Sequence, residues 1–189
     1  MDTNLEIARD LVERCKANDR SAQMALYRQY CDGMFCVAMR FVRERDDAED
    51  LVQEAFIKAF RKIQQFRGEV TFGAWLKRIV VNKCLDFLKS KRERLISIEE
   101  HELQLAEEPD WTVEREVSVD GVLEAMERLP EKYREVLQLY LLEGYDHKEI
   151  AEILHMTPVA SRTRLMRGKE YLRTYLNEQK HETGSQEAF

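Results

Sequence analysis

Residues 145–169, YDHKEIAEILHMTPVASRTRLMRGK, decide the reading of this chain. Asp146 is placed to cap a short helix, and Glu149, three positions on, can return the bond in a capping-box pattern. Ile150, Ile153 and Leu154 then fall on one helical face. A second start follows at Thr157, a good N-cap, with Pro158 in the first helical position, where the missing N–H costs nothing. Arg162, Arg164, Arg167 and Lys169 make this second helix basic, and Leu165 and Leu172 give it an apolar side. A short capped helix, a turn and a basic helix are what a helix-turn-helix needs to lay a recognition helix in a major groove. On these residues alone, an ordinary helical hairpin with a solvated basic face remains open.

The 189 residues suffice for one domain or two small ones. With 44% hydrophobic and 35% charged residues but only 7 Gly and 3 Pro, a helix-rich globular chain is expected rather than a turn-dense β-sandwich. The net charge of −6 does not advertise nucleic-acid binding, but its distribution does. Residues 57–94 hold 11 Lys/Arg against 3 Asp/Glu, residues 95–120 hold 1 against 9, and residues 158–173 hold 5 against 1. Two basic blocks thus flank an acidic one. Cys15, Cys31, Cys36 and Cys84 form no CxxC pair and no His stands at zinc-finger spacing, so no metal site is expected. Cys31, Cys36 and Cys84 lie in helical patterns and read as small core residues. No apolar run reaches membrane length, and the polar N-terminus MDTNLEIARD does not read as a signal peptide. A reducing cytoplasm is the expected compartment.

Toward the N-terminus, Leu5, Ala8, Leu11, Val12 and Cys15 pattern a first helix, broken at Asn18-Asp19. Asp19 or Ser21 can cap the next, about 21–42, in which Gly33 could mark an irregularity. Residues 46–63, DDAEDLVQEAFIKAFRKI, place Ala48, Leu51, Val52, Ala55, Phe56, Ala59, Phe60 and Ile63 at i, i+3, i+4, i+7 spacing. Their polar face runs from Asp46, Asp47, Glu49, Asp50 and Glu54 to Lys58, Arg61 and Lys62, an order that complements the helix dipole. The acidic end therefore reads either as helix stabilisation or as a docking surface. Residues 64–71 form a loop, and Thr71 can cap a further basic helix, FGAWLKRIVVNKCLDFLKSKRER. Phe66, Arg67, Phe72 and Trp75 suit a single-stranded nucleic acid, with bases stacking on aromatics while cations follow phosphates. Phe66, Phe72 and Trp75 can instead be core anchors, the favoured role for Trp75. Residues 95–120 are acidic and weakly periodic, a linker between two helical domains. In the second domain, Val122, Met126 and Leu129 pattern one short helix. Pro130 opens another, packed by Val136, Leu137, Leu139, Tyr140 and Leu141 and ended by Gly144. The residues after Leu176 read as a polar, frayed tail.

DAEDLVQEAF, FRGEVTFGAWLKRIVVNKCLDFLK and LPEKYREVLQLYLLEGYDHKEIAEIL follow one another in that order, with the linker between the last two. From about Asp19 to Leu176 the chain resembles a bacterial sigma factor of the extracytoplasmic-function (ECF, group 4) type, in the sigma-70 family. The resemblance implies an all-α fold. A sigma region 2-like helical bundle spans 1–94, an acidic flexible linker 95–118, a sigma region 4-like helix-turn-helix domain 119–177 and a polar tail 178–189. It implies that Asp47, Glu49, Asp50, Leu51, Gln53, Glu54 and Phe56 dock on the β′ clamp helices of core RNA polymerase. It likewise implies that Arg67, Gly68, Glu69 and Thr71 form the loop that captures a flipped base of the −10 element. Trp75, Lys77, Arg78, Asn82, Lys83 and Asp86 would lie along the non-template strand. Pro158, Ser161, Arg162, Thr163, Arg164, Arg167 and Lys169 would read the −35 duplex. The implied partners are core polymerase, through its β′ clamp and β flap, promoter DNA, and as a candidate an anti-sigma protein. The linker resembles one that threads through polymerase toward the RNA exit path.

Where the family usually carries a Gly-Thr-Val-Lys-Ser-Arg-like run, this chain has Val159, Ala160, Ser161, Arg162, Thr163 and Arg164. His155 stands at a turn position where Gly is common. The fold is expected to survive both departures, whereas the −35 sequence preference cannot be carried over. No nucleophile–base pair, phosphate-cradling Gly loop or metal cluster points to an enzyme, and no cofactor is implied. Two rivals remain at this level: a helix-turn-helix regulator that binds operators as a dimer, and a decoy that only sequesters a regulator. The first leaves residues 46–63 and the basic block 57–94 without a role; the second does not need two cationic surfaces.

Overall fold

The computed structural model describes the backbone of residues 3–93 and 119–184, with side chains from 9–91 and 121–177. Among the described residues all regular structure is helical, and no helix is long and apolar enough to cross a membrane. The chain divides into two compact units, residues 1–99 and 100–189. The acidic stretch read as a linker lies outside the described residues.

In the first unit, helix α1 (Thr3–Lys16) leads to α2 (Arg20–Val42), α3 (Arg45–Arg61), a 3₁₀ turn (Ile63–Gln65) and α4 (Phe72–Glu93). Asn18 adopts a left-handed φ of 62°. Its N–H reaches the Cys15 carbonyl, and that of Asp19 the Arg14 carbonyl, closing the end of α1. Asp19, rather than Ser21, then caps α2: its carboxylate accepts the N–H groups of Ser21 (2.8 Å) and Ala22 (3.3 Å). Bonds from the Ser21 hydroxyl and the Arg14 guanidinium hold that carboxyl well below the usual carboxylate range. Helices α2, α3 and α4 share the core. Ala48, Ala55 and Ala59 of α3 are fully buried, as are Leu26 of α2 and Leu76, Val80 and Val81 of α4. The alanines let the helix axes approach closely, while each fully buried Leu or Val contributes roughly 1.5–3 kcal/mol.

Several sequence expectations are corrected here. Gly33 produces no irregularity, because α2 runs through it unbroken. Cys36 is exposed and Cys31 half-buried, since the inward stripe of α2 is set by Met34, Val37, Ala38 and Phe41; Cys15 and Cys84 are buried. Burial pushes the Cys15 thiol up to about 11.

The second unit comprises α5 (Val119–Arg128), α6 (Glu131–Leu137), which widens into a π turn (Gln138–Leu142), α7 (His147–Ile153) and α8 (Pro158–Gly184). Pro130 occupies the N-cap of α6 rather than its first turn. Val136, Leu137 and Leu139 are buried, but Tyr140 and Leu141 face solvent. The π turn shifts the register at that point, so the α-helical spacing fails. Gly144, with φ of 74°, ends the segment, and the Tyr145 N–H reaches back to the Leu139 carbonyl. Helix α8 continues to Gly184, beyond the point where the sequence suggested fraying, and no Pro or Gly interrupts it after Gly168.

Candidate nucleic-acid interfaces

The two helices within residues 145–169 form with both caps in place. Asp146 accepts the N–H groups of Lys148 (2.7 Å) and Glu149 (2.9 Å), and the Glu149 carboxylate accepts the Asp146 N–H (2.9 Å). These backbone donors hold the Asp146 carboxyl below its ordinary value. The turn closes through the Met156 N–H on the Ala151 carbonyl, with His155 left-handed at φ 51°. A non-glycine residue tolerates that conformation at a cost of roughly 1–2 kcal/mol, so His155 replaces glycine without breaking the turn. The Thr157 hydroxyl accepts the Ala160 N–H (3.1 Å) and starts α8.

The outer face of α8 differs from the residue set named by resemblance. Arg162, Thr163 and Arg167 are exposed; Pro158, Arg164 and Lys169 are half-buried. Ser161 has no exposed surface, so it cannot touch a base or a phosphate. Its hydroxyl lies 2.9 Å from Nδ1 of His147 on α7 and faces inward with Leu165. Burial, and next the Arg162 guanidinium, keep the His147 imidazole below its ordinary pKa. Val159 and Met166, which the resemblance left out of its contact set, share the exposed face at 65% and 47% accessibility. Their helical spacing from Arg162, Thr163 and Arg167 is the sequence signal that puts them on that face.

In the first unit, Arg67, Gly68, Glu69 and Thr71 are all exposed between the 3₁₀ turn and α4. Gly68 has φ of 76°, a conformation that favours glycine. The Thr71 hydroxyl accepts the Ala74 N–H (3.2 Å) and caps α4 as expected. Phe66 and Phe72 are buried and Trp75 is half-buried. Phe66 packs on Phe72 and Trp75 at 5.9 and 5.3 Å, and Tyr30 on Phe72 at 5.4 Å. Phe66 and Phe72 therefore anchor the loop rather than present faces to bases. Beside them opens a cleft of about 660 Å³, walled by the loop, Tyr30 and, from α1, Arg9, Val12, Glu13 and Lys16. Nothing in the linear sequence signals the share taken by α1, because contacts distant along the chain leave no periodicity. Arg78 and Asp86 are exposed along α4, whereas Lys77, Asn82 and Lys83 are half-buried.

On α3, Glu49, Asp50, Gln53 and Glu54 are exposed and Asp47 is half-buried. Leu51 and Phe56 are buried, at 6% and 2% accessibility. Those two fix the helix in its core rather than offer it to a partner. The acidic row of α3 meets the basic row of α4 in two ion pairs, Glu54–Lys83 (2.6 Å) and Asp47–Lys91 (3.6 Å).

Comparison with known proteins places two family regions on this architecture. Sigma-70 region 2 matches residues 26–94, and sigma-70 region 4 matches residues 120–172. The RNA polymerase sigma-H factor of Pseudomonas aeruginosa is 31% identical over 171 residues, covering 85% of this chain and 89% of that protein. The ECF RNA polymerase sigma-E factor of Haemophilus influenzae is 33% identical over 177 residues, covering 86% and 91%. Among solved structures, CnrH in complex with the cytosolic domain of CnrY has a similar fold, with a TM-score of 0.58 and 22% identity over 91% of this chain and 98% of that one. RpoE in complex with the anti-sigma factor NepR from Bartonella quintana gives a TM-score of 0.57 at 21% identity, covering 82% and 96%.

Proposed function

The chain belongs to the extracytoplasmic-function group of the sigma-70 family, and from that membership we propose that it binds core RNA polymerase in the cytoplasm and directs it to promoters. The first unit docks on polymerase through Asp47, Glu49, Asp50, Gln53 and Glu54 of α3. Arg67, Gly68, Glu69 and Thr71 take a base of the melted −10 element beside the cleft. Trp75, Lys77, Arg78, Asn82, Lys83 and Asp86 follow the same strand. The second unit lays α8 in the major groove of the −35 element through Arg162, Thr163 and Arg167. The work is binding and strand separation rather than covalent chemistry, and an anti-sigma protein is the candidate regulator.

One observation carries this reading. The exposed acids of α3, the exposed loop of residues 67–71 and the basic helix α4 lie within one unit, while a separately capped helix-turn-helix belongs to the other. A dimeric operator-binding regulator would use only the latter. Two modest DNA contacts joined through polymerase raise each other's effective concentration, which suits an acidic protein acting on DNA inside a larger assembly. Run-off transcription with purified core polymerase tests the proposal: promoter-dependent transcripts are expected only when this chain is added. Tight, sequence-specific duplex binding by the isolated chain, with no stimulation of polymerase, would refute it.

A further inference from the structure

The outer face of α8 carries a feature that charge does not explain. Val159, Thr163 and Met166 form an apolar stripe between Arg162 and Arg167. Val159 is the most exposed large apolar side chain among the described residues, at 65%, and Met166 is 47% exposed. The Thr163 hydroxyl donates to the Val159 carbonyl at 3.1 Å. Its proton is used within the helix, so the side chain offers a groove a methyl group rather than a donor. The stripe begins in the second residue of α8, and the N-terminal part of a recognition helix is the part that meets base edges. Flanking guanidinium groups favour a polyanion over an apolar protein surface as the occupant. In a major groove the apolar group available to such a stripe is the thymine C5-methyl.

We propose that Val159 and Met166 are specificity-determining residues that read thymine methyl groups in the −35 element. The inference rests on the sigma-factor reading above and names what one of its surfaces recognises. Met166 lies seven positions after Val159, about 10 Å along the helix axis. That distance corresponds to about three base-pair steps at ~3.4 Å each, so the two thymines lie about three positions apart, on either strand. Arg162 and Arg167 add contacts to phosphates or purine edges on both sides of them.

Uracil substitution tests the proposal, because it removes the methyl and leaves every hydrogen-bonding group of the base. The full chain is assembled with core polymerase on a promoter first identified by run-off transcription. Each −35 thymine is replaced singly by uracil, and affinity is measured at fixed salt. Two positions about three base pairs apart should each lose about fourfold in affinity, the effect of exposing one buried methyl. Val159→Ala should abolish the uracil penalty at one of them and Met166→Ala at the other, with the remaining penalty intact in each variant. Uracil tolerance at every position, or unchanged penalties in both variants, overturns the inference alone. So does weaker binding of either variant to core polymerase without DNA, which would make the stripe a protein contact. Failure of the unmodified chain to support promoter-dependent transcription overturns the sigma-factor reading, and this inference with it.

Discussion

His147 and Ser161 tie the two helices of the reading motif together: Nδ1 of His147 lies 2.9 Å from Oγ of Ser161, which has no exposed surface. The His147 ring also stacks on Tyr140, with centroids 4.9 Å apart and planes at 22°. The imidazole and the hydroxyl share one hydrogen bond, whose donor is set by the imidazole tautomer, and a buried hydroxyl needs such a partner. Ser161→Ala leaves the half-buried nitrogen without this partner and should cost about 1–2 kcal/mol. The thermal midpoint of the second unit should fall by several degrees. His147→Asn, which retains an acceptor at similar reach, should retain more stability than His147→Ala. Equal midpoints for the unaltered protein and Ser161→Ala would show the bond to be inert.

The same pair predicts a pH dependence. His147 is held below its ordinary value of 6.5, chiefly by burial and next by Arg162, with a smaller push from Lys169 and an opposing pull from Asp146. The unfolded chain therefore takes up this proton at higher pH than the folded one. The stabilisation is complete above about pH 6.5 and is lost as pH falls through the lower, folded value. Melting curves on both sides of that pH should show the unaltered protein losing more stability than His147→Asn. Parallel losses would exclude His147 as the titrating group.

Asp146→Ala should weaken the helix-turn-helix by about 1 kcal/mol, the usual effect of removing an N-cap. The loss falls on α7, a single short helix (His147–Ile153). The amides of Lys148 and Glu149 lose their acceptor, so hydrogen exchange should quicken there first. Asp146→Asn keeps an acceptor in place and should fall between the two. Uniform quickening throughout the second unit would instead indicate global unfolding.

Local chemistry was the part of this molecule most legible in sequence. Thr71, Asp146 and Thr157 cap their helices as their side chains suggest, because capping depends on residues within three positions of one another. The apolar spacing of α3 likewise marks its buried face. Spacing misled where the backbone left the α-helical period, as in the π turn that turns Tyr140 and Leu141 outward. The resemblance misled at Ser161, named for the −35 contact set but turned fully inward. The cleft wall supplied by Arg9 and Lys16 was not legible at all, since it depends on how α1 packs against a loop some fifty residues later.

Asp50 and Glu54 lie one turn apart on the exposed side of α3, yet they should answer differently to substitution. Glu54 is engaged by Lys83 across the α3–α4 boundary at 2.6 Å, whereas Asp50 is exposed on the same face. Asp50→Lys reverses a charge without touching the core. On the docking role proposed for α3 it should weaken core polymerase binding roughly tenfold or more, with the steepest effect at low salt. Its melting curve should match that of the unaltered protein. Glu54→Gln removes an ion pair whose members are both partly solvated, so its effect on stability should stay below about 1 kcal/mol. It also frees Lys83, one of the cations assigned to the melted strand, from a competing carboxylate. Single-stranded DNA of −10 sequence should then bind the isolated chain more tightly, and Lys83→Ala should erase the gain. If Glu54→Gln leaves single-strand affinity unchanged while Lys83→Ala lowers it, Lys83 contacts DNA without competition from Glu54. If neither variant changes it, Lys83 lies off the strand's path.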